Sequence, residues 1–259
     1  MDFKVIESKD NSLIKLISQL QTSAKARKEN GLFVLEGLRI CKDAFDNGIR
    51  FDKLIISETA KSKYCEDIEN FSKTSDELIK IPDSLFKKIS DTQSPQGIIA
   101  LVKIPENLLN SISEKGKYIA LENVSDPSNL GAIARTAEAL GVDGIILSSD
   151  GCDPYSPKSL RASMGTLLRM PLIILNDFAN QIKDLNLTIY SCVVDKDAEK
   201  ITDILFGDGS VVVIGNEANG ITKETKNVSD KLITIEMKGS AESLNAAAAA
   251  AISIWELMK

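Results

Sequence analysis

The chain has 259 residues, enough for one large or two modest domains, and it is 43% hydrophobic and 26% charged, a balance that leaves ample core. Its net charge of −6 argues against a chain built as a polycation for nucleic acid, and the absence of histidine removes Ser-His and Cys-His nucleophiles and nearly all zinc catalysis. No apolar run reaches bilayer length, residues 1–10 carry mixed charge without the apolar stretch of a signal peptide, and Cys41, Cys65, Cys152 and Cys192 form no metal-type pair, so a cytoplasmic protein with reduced thiols is expected.

Residues 12–28 read as a helix with Leu13, Leu16, Ile17 and Leu20 on one side. Residues 1–30 set Lys4, Lys9, Lys15, Lys25, Arg27 and Lys28 against Asp2, Glu7, Asp10 and Glu29; a local basic surface and a plain solvated helix face both fit this. Strands follow at 32–35, 54–56, 78–81 and 98–102, with helical patterns between them, for example at 38–45, which makes a small alternating α/β unit. Ile104-Pro-Glu-Asn closes it, and the polar run from Ser111 to Lys117 reads as a linker, so the domain boundary falls near 105–116. A second alternation then begins: strands at 118–121, 144–147, 172–175, 187–194, 211–214 and 232–235, and helices at 130–140, 157–168, 177–185 and 244–258. Continuous apolar strands separated by helices predict a parallel sheet covered on both faces.

Three segments of the second unit carry the chemistry: Glu122-Asn-Val-Ser-Asp-Pro-Ser-Asn-Leu-Gly-Ala-Ile-Ala-Arg135, Val213-Ile-Gly-Asn-Glu-Ala-Asn-Gly220 and Ile235-Glu-Met-Lys-Gly-Ser-Ala-Glu-Ser-Leu-Asn245. Each leaves an apolar strand through the Asn, Gly, Ser or Pro of a tight turn, and ligands of open parallel sheets bind where such loops leave the strand ends. On the first helix, Leu130, Ile133, Ala134, Ala137 and Leu140 form the apolar stripe and Arg135 points nearly opposite. An arginine so placed is ordinarily a surface charge, but a helix that follows a strand-end turn lines the crevice. Gly215 permits close backbone approach to a ligand and leaves Glu217 at a strand end. Ser243 reads as the N-cap of an alanine-rich final helix, whose stripe is Leu244, Ala248, Ala251, Ile252 and Trp255. Asn245, one residue inside that helix, is unfavourable there and calls for a specific partner. Simple helix propensity and close passage against other backbone or a second subunit both account for the alanines. No dinucleotide Gly-x-Gly-x-x-Gly follows a strand, and no Gly-x-x-x-x-Gly-Lys-Ser/Thr is present, which argues against nicotinamide enzymes and nucleotide hydrolases.

In this order the three segments resemble the signatures of the SpoU-type (TrmH-like) RNA 2′-O-ribose methyltransferases of the SPOUT superfamily: Asn-x-x-Asp-Pro-x-Asn-x-Gly-x-x-x-Arg, Gly-x-Glu-x-x-Gly and Ser-Leu-Asn followed by a helix. Cys152-Asp-Pro-Tyr-Ser-Pro-Lys and Arg161-Ala-Ser-Met-Gly-Thr resemble the family's middle region. The likeness spans 118–259. Phe33-Val-Leu-Glu-Gly37 and Ser94-Pro-Gln-Gly97 resemble, more loosely, its L30e-like substrate-binding domain. The resemblance implies an α/β protein with two parts. Residues 117–259 would form a parallel-sheet methyltransferase domain with a deep trefoil knot, and residues 1–106 an RNA-binding domain that includes the N-terminal helix. It also implies a homodimer. The alanine run departs from the mixed Val, Ser and Ala of the family.

The activity implied is S-adenosylmethionine-dependent methylation of a ribose 2′-hydroxyl in RNA, with 23S ribosomal RNA expected. A transfer-RNA 2′-O-methyltransferase and a non-catalytic RNA-binding or assembly protein are the alternatives. By resemblance, backbone around Gly215, Ile235, Met237, Ser243 and Leu244 binds the cofactor, and no metal or membrane is implied. Arg135 matches the family's essential arginine, often assigned as the base. A guanidinium is effectively always protonated, so holding phosphate and stabilising developing alkoxide is the role expected here. Asn129, Glu217, Ser243 and Asn245 would orient Arg135 and the ribose.

Overall fold

The computed structural model describes residues 2–109 and 112–259. Two compact units form: residues up to Pro105 together with Tyr155–Arg161, and Glu106–Pro154 with Ala162–Lys259. Of the linker-like run, Ser111 lies outside the described residues.

The first unit runs β1 (Lys4–Val5), α1 (Ser12–Thr22), α2 (Ala24–Asn30), β2 (Leu32–Glu36), α3 (Leu38–Asp46), β3 (Phe51–Ser57), α4 (Glu58–Lys63), α5 (Cys65–Ser72), β4 (Ser75–Ile81), α6 (Asp83–Ile89) and β5 (Ile98–Lys103). Its sheet has the order β1-β4-β3-β5-β2; β5 is antiparallel to β3 and β2, and the other pairs are parallel. The single helix expected over 12–28 is two. Ser23 leaves helical geometry at φ −124°, ψ 116°, and its hydroxyl accepts from Ala26 N to cap α2. Ile14, Ile17 and Leu20 of α1 are buried in a core with Val34, Ile55, Ile79, Ile99 and Leu101. Arg27, counted toward a basic surface, is buried and donates from its guanidinium to the Leu20 carbonyl. Lys4, Lys15 and Lys25 pair with Glu77, Asp10 and Glu29, so the basic surface is thinner than the residue count suggests.

The second unit runs β6 (Lys117–Leu121), α7 (Pro127–Leu140), β7 (Gly144–Ser148), then, after α8 (Pro157–Ala162), which belongs to the first unit up to Arg161, α9 (Thr166–Arg169), β8 (Leu172–Leu175), α10 (Phe178–Lys183), β9 (Thr188–Cys192), β10 (Glu199–Lys200), β11 (Ser210–Ile214), α11 (Lys223–Val228), β12 (Lys231–Thr234) and α12 (Ala246–Leu257). The sheet order is β10-β12-β9-β11-β6-β7-β8, with every pair parallel. Strands β7 and β11 are buried along their whole length, as a sheet covered on both faces requires. Tyr118, Ala120, Ile146, Val211 and Val213 share a core with Phe178 and Ile182 of α10. Helices α7 and α12 pack on each other, and α12 also packs on β6 and β11.

The chain moves from β6 outward to β7 and β8, then returns to β9 on the far side, and β11 inserts beside β6. Such a reversal opens a crevice at the carboxyl ends of the two central strands. The helix expected over 157–168 is interrupted by Met164 (φ 51°) and Gly165 (φ 90°), which separate α8 from α9. The strand expected over 187–194 is shorter, ending at Cys192, and the one expected over 232–235 ends at Thr234. Helices α4, α5 and α6 fall between strands, where helical pattern is expected without bounds, while the short elements α11, β1 and β10 lie outside the sequence expectation.

Candidate active site

Helix α7 starts where the sequence places a turn. Asp126 caps it by accepting from Ser128 N at 2.8 Å, Pro127 sits in the first turn, and Gly141 (φ 79°) ends it. Gly131 faces the chain at Ala162–Ser163 so closely that a Cβ would lie 2.5 Å from the Ala162 carbonyl carbon and 2.7 Å from Ser163 N. Asn129, near the helix start, is buried and faces inward.

The loop after β11 folds back on itself. Asn216 and Gly220 exchange backbone hydrogen bonds of 3.0 and 2.9 Å, and the Asn216 side chain accepts from Ala218 N and Asn219 N while donating to the Asn123 carbonyl at 2.8 Å. The space behind Gly215 is filled by that same loop: a Cβ there would lie 2.2 Å from the Gly220 carbonyl carbon and 2.3 Å from Ile221 N. The glycine expected to admit a ligand is therefore required first for loop closure.

This closure presents Glu217 to the start of α7. Its carboxylate accepts from Asn129 Nδ2 at 2.8 Å, from Ser125 N at 3.2 Å, from Ser125 Oγ at 3.0 Å and from Asp126 N at 3.2 Å. Partial burial pushes the carboxyl up, but the Asn129 amide and the main-chain donors of Glu217, Ser125 and Asp126 outweigh it and hold the carboxyl at about 2. Asn245 extends the chain of bonds, donating from Nδ2 to Asn129 Oδ1 at 3.0 Å. Its own Oδ1 accepts from Ala247 N and Ala248 N, so Asn245, not Ser243, is the N-cap of α12. The residue that looks misplaced inside a helix stands just before it, where asparagine is favoured.

Beside this chain of bonds lies a cavity of about 350 Å³ lined by Gly215, Glu217, Ile235, Met237, Ser243 and Leu244, with Val193 and Ile221 among its apolar walls. Pockets for small ligands start near this volume, ~300 Å³. Among the described residues, no backbone–backbone hydrogen bond involves 235–244, which leaves main-chain donors and acceptors open along the rim. Apolar walls with open main-chain groups fit a flat heterocycle bound through backbone.

Arg135 stands apart. It is exposed on α7 and lines a separate shallow depression with Glu138, Met164, Thr166 and Arg169, and its side chain makes no hydrogen bond or ion pair with the described residues. Asn129, Glu217, Ser243 and Asn245, expected to orient it, make no hydrogen bond or ion pair with it; Asn129, Glu217 and Asn245 bond one another instead. Six residues separate Arg135 from Asn129, which turns it roughly 120° around the helix and about 9 Å along it.

A model of the SpoU rRNA Methylase family matches residues 116–255, more than half of the chain. The chain belongs to the SpoU rRNA methylase family. A model of the MRM3-like substrate binding domain matches residues 11–100. The SpoU chain is 28% identical over 257 residues to the 23S rRNA (guanosine(2553)-2′-O)-methyltransferase RlmP of Bacillus subtilis, covering 98% of this chain and 99% of that one. It is 27% identical over 243 residues to the 23S rRNA (uridine(2479)-2′-O)-methyltransferase of Streptomyces viridochromogenes, covering 90% and 84%. Among solved structures, an AdoMet-bound rRNA methyltransferase from Sinorhizobium meliloti is similar, with a TM-score of 0.84, 28% identity and coverage of 98% and 97%.

Several residues that shape this SpoU site carry no role in the sequence reading. Ser125 and Asp126 clamp Glu217, and Asn123 (φ 56°) and Ser148 brace the turn through bonds of 2.7 and 2.9 Å. Buried Glu122 ties the end of β6 to Thr222 and Thr225 at the start of α11. An Asn two residues past a strand end favours a turn and could have flagged Asn123 and Asn216. Lys226, on the unexpected helix α11, lines the cavity and has no local signal.

Proposed function

We propose that this chain methylates a ribose 2′-hydroxyl of ribosomal RNA, with 23S RNA as the substrate class, and that S-adenosylmethionine binds in the cavity beside Glu217. The observation that carries this is the convergence of three strand-end loops. The Glu217–Asn129–Asn245 chain of bonds joins them at the edge of a 350 Å³ cavity whose rim offers open main-chain groups. Main chain around Gly215, Ile235, Met237, Ser243 and Leu244 holds the cofactor. Bound there, it supplies an electrophilic methyl group on a sulfonium. Neither Arg135 nor Glu217 is a base at neutral pH: guanidinium stays protonated, and the Glu217 carboxyl sits at about 2. Arg135 holds RNA phosphate and stabilises negative charge developing on the ribose oxygen. Glu217, Asn129, Ser243 and Asn245 set the shape of the pocket edge.

In this proposal residues 1–106 bind RNA and residues 117–259 transfer the methyl group in the cytoplasm. Among the described residues, no helix is long and apolar enough to cross a membrane. The working form is a homodimer, supported by exposed Ile252 and Trp255 on α12. The deep trefoil knot implied by the resemblance belongs to the proposal too; α12 lies against α7, β6 and β11, elements that precede it by much of the unit.

The test is transfer of labelled methyl from S-adenosylmethionine to transcribed 23S RNA, with calorimetry for the cofactor. Saturable binding and label confined to 2′-O-methyl nucleosides of 23S RNA are expected. Label appearing only on transfer RNA would move the substrate, and no binding at millimolar cofactor would leave an RNA-binding protein without transferase activity.

A further inference from the structure

On α7, Arg135 and Glu138 are three residues apart and so share one side of the helix, where opposite charges normally pair. They do not pair here. The Glu138 carboxylate is filled from another element: Arg169 Nε donates to Oε1 at 2.6 Å, Arg169 Nη2 to Oε2 at 2.8 Å, and Thr166 Oγ1 to Oε2 at 2.6 Å. Arg169 Nη2 also donates to Thr166 Oγ1 at 3.3 Å. This is the two-pronged guanidinium–carboxylate geometry that outcompetes a single flexible contact. The side chains of Arg169 and Glu138 are 25% and 35% exposed, which shields the pair more than a surface ion pair. The same contacts hold the Glu138 carboxyl below the ordinary carboxylate range, the Arg169 hydrogen bond being the main cause. Arg135, Glu138, Thr166 and Arg169 border one depression, so an unclaimed Glu138 would have Arg135 within reach.

We infer that Arg169, aided by Thr166, is a positioning residue that withholds Glu138 from Arg135 and so keeps the Arg135 guanidinium open for RNA phosphate. This rests on the role proposed above for Arg135. A carboxylate paired with Arg135 would have to be displaced each time RNA binds, and the displacement would weaken binding.

A mere tie between α7 and α9 makes a different prediction. Breaking a tie from either side costs the same, whereas withholding a carboxylate is one-sided. The experiment compares wild type, Arg169→Met, Glu138→Gln, the double variant and Arg135→Ala, using affinity for transcribed 23S RNA, its salt dependence and single-turnover methyl transfer. Arg169→Met is expected to weaken RNA binding about fivefold, the equivalent of one exposed ion pair broken on binding, and to flatten the salt slope by about one. Glu138→Gln is expected to stay within about twofold of wild type, and the double variant to match Glu138→Gln. Thermal melts check folding; if Arg169→Met does not fold, Arg169→Lys, which lacks the fork, replaces it in the same cycle. Equal losses in both single variants, or no rescue in the double, would overturn the inference. Near wild-type transfer by Arg135→Ala would instead overturn the reading on which it rests.

Discussion

At the scale of single residues, Arg135 and Glu217 differ in their surroundings. Arg135 projects from α7 into solvent and supports no core contact, so Arg135→Ala should fold and still bind cofactor. Methyl transfer should fall at least about a hundredfold, the scale of a removed transition-state donor. Arg135→Lys should recover little, because an ammonium cannot reproduce the fork. Single-turnover transfer at saturating enzyme checks both. Glu217 sits among donors and has a depressed folded value of about 2 against an unfolded value of 4.5. A depressed carboxyl stabilises the fold above the unfolded value and loses that contribution as pH falls through the folded one. The loop 215–220 should therefore stay seated from neutral pH down to about 4.5 and detach between 4.5 and about 2. Carboxyl carbon shifts of Glu217 should titrate near 2; a midpoint near 4.5 would mean that the clamp by Ser125, Asp126 and Asn129 does not form in solution. Activity between pH 6 and 8 should not depend on the titration of Glu217, about four units below that window.

At the scale of elements, the contact of α7 with the chain at Ala162–Ser163 depends on Gly131. In an exposed helix, Gly→Ala would gain about 1 kcal/mol from propensity alone. Here the added carbon would meet backbone at 2.5 and 2.7 Å, and forcing packed backbone apart costs about 1–3 kcal/mol. The steric cost exceeds the gain in propensity, so Gly131→Ala should lower the melting temperature in calorimetry rather than raise it. Helix α12 makes the complementary point. Its alanines are good helix formers, yet its start is set by Asn245, which caps it and bonds Asn129 at once. Asn245→Ala should remove about 1 kcal/mol of capping and also loosen the pocket edge. A Tm drop without any loss of cofactor affinity would separate the two roles.

At the scale of the whole molecule, the stripe of α12 picked out in the sequence faces outward. Ala248, Ile252 and Trp255 are exposed, Trp255 by 57%, while Ala250, Ile254 and Leu257 fill the core side. An exposed apolar stripe on a helix invites a partner surface. Light scattering at micromolar concentration should give a dimer, and Ile252→Glu with Trp255→Glu should give a folded monomer with reduced transfer. A wild-type monomer would contradict the assembly proposed here.

The sequence by itself determined the alternation of strands and helices, because fully buried parallel strands must be continuous and apolar and their positions are then visible as runs such as 211–214. It also determined that three polar turns follow such strands, since turn chemistry is local. It could not show that Gly215 serves its own loop, that Asn245 is a cap, or that Glu138 belongs to Arg169. Those facts depend on which backbones meet after the chain crosses the sheet and returns, and no local pattern encodes that crossing. The bounds of α4 and α5, and α11 altogether, escape the sequence for a related reason: each is six to eight residues long and too short for a helical period to emerge. The side of α7 on which Arg135 stands was readable from the helical period, but its separation from the Glu217 chain of bonds was decided only by the tertiary structure, which anchors Asn129 inward and leaves Arg135 more than a turn further on, facing water.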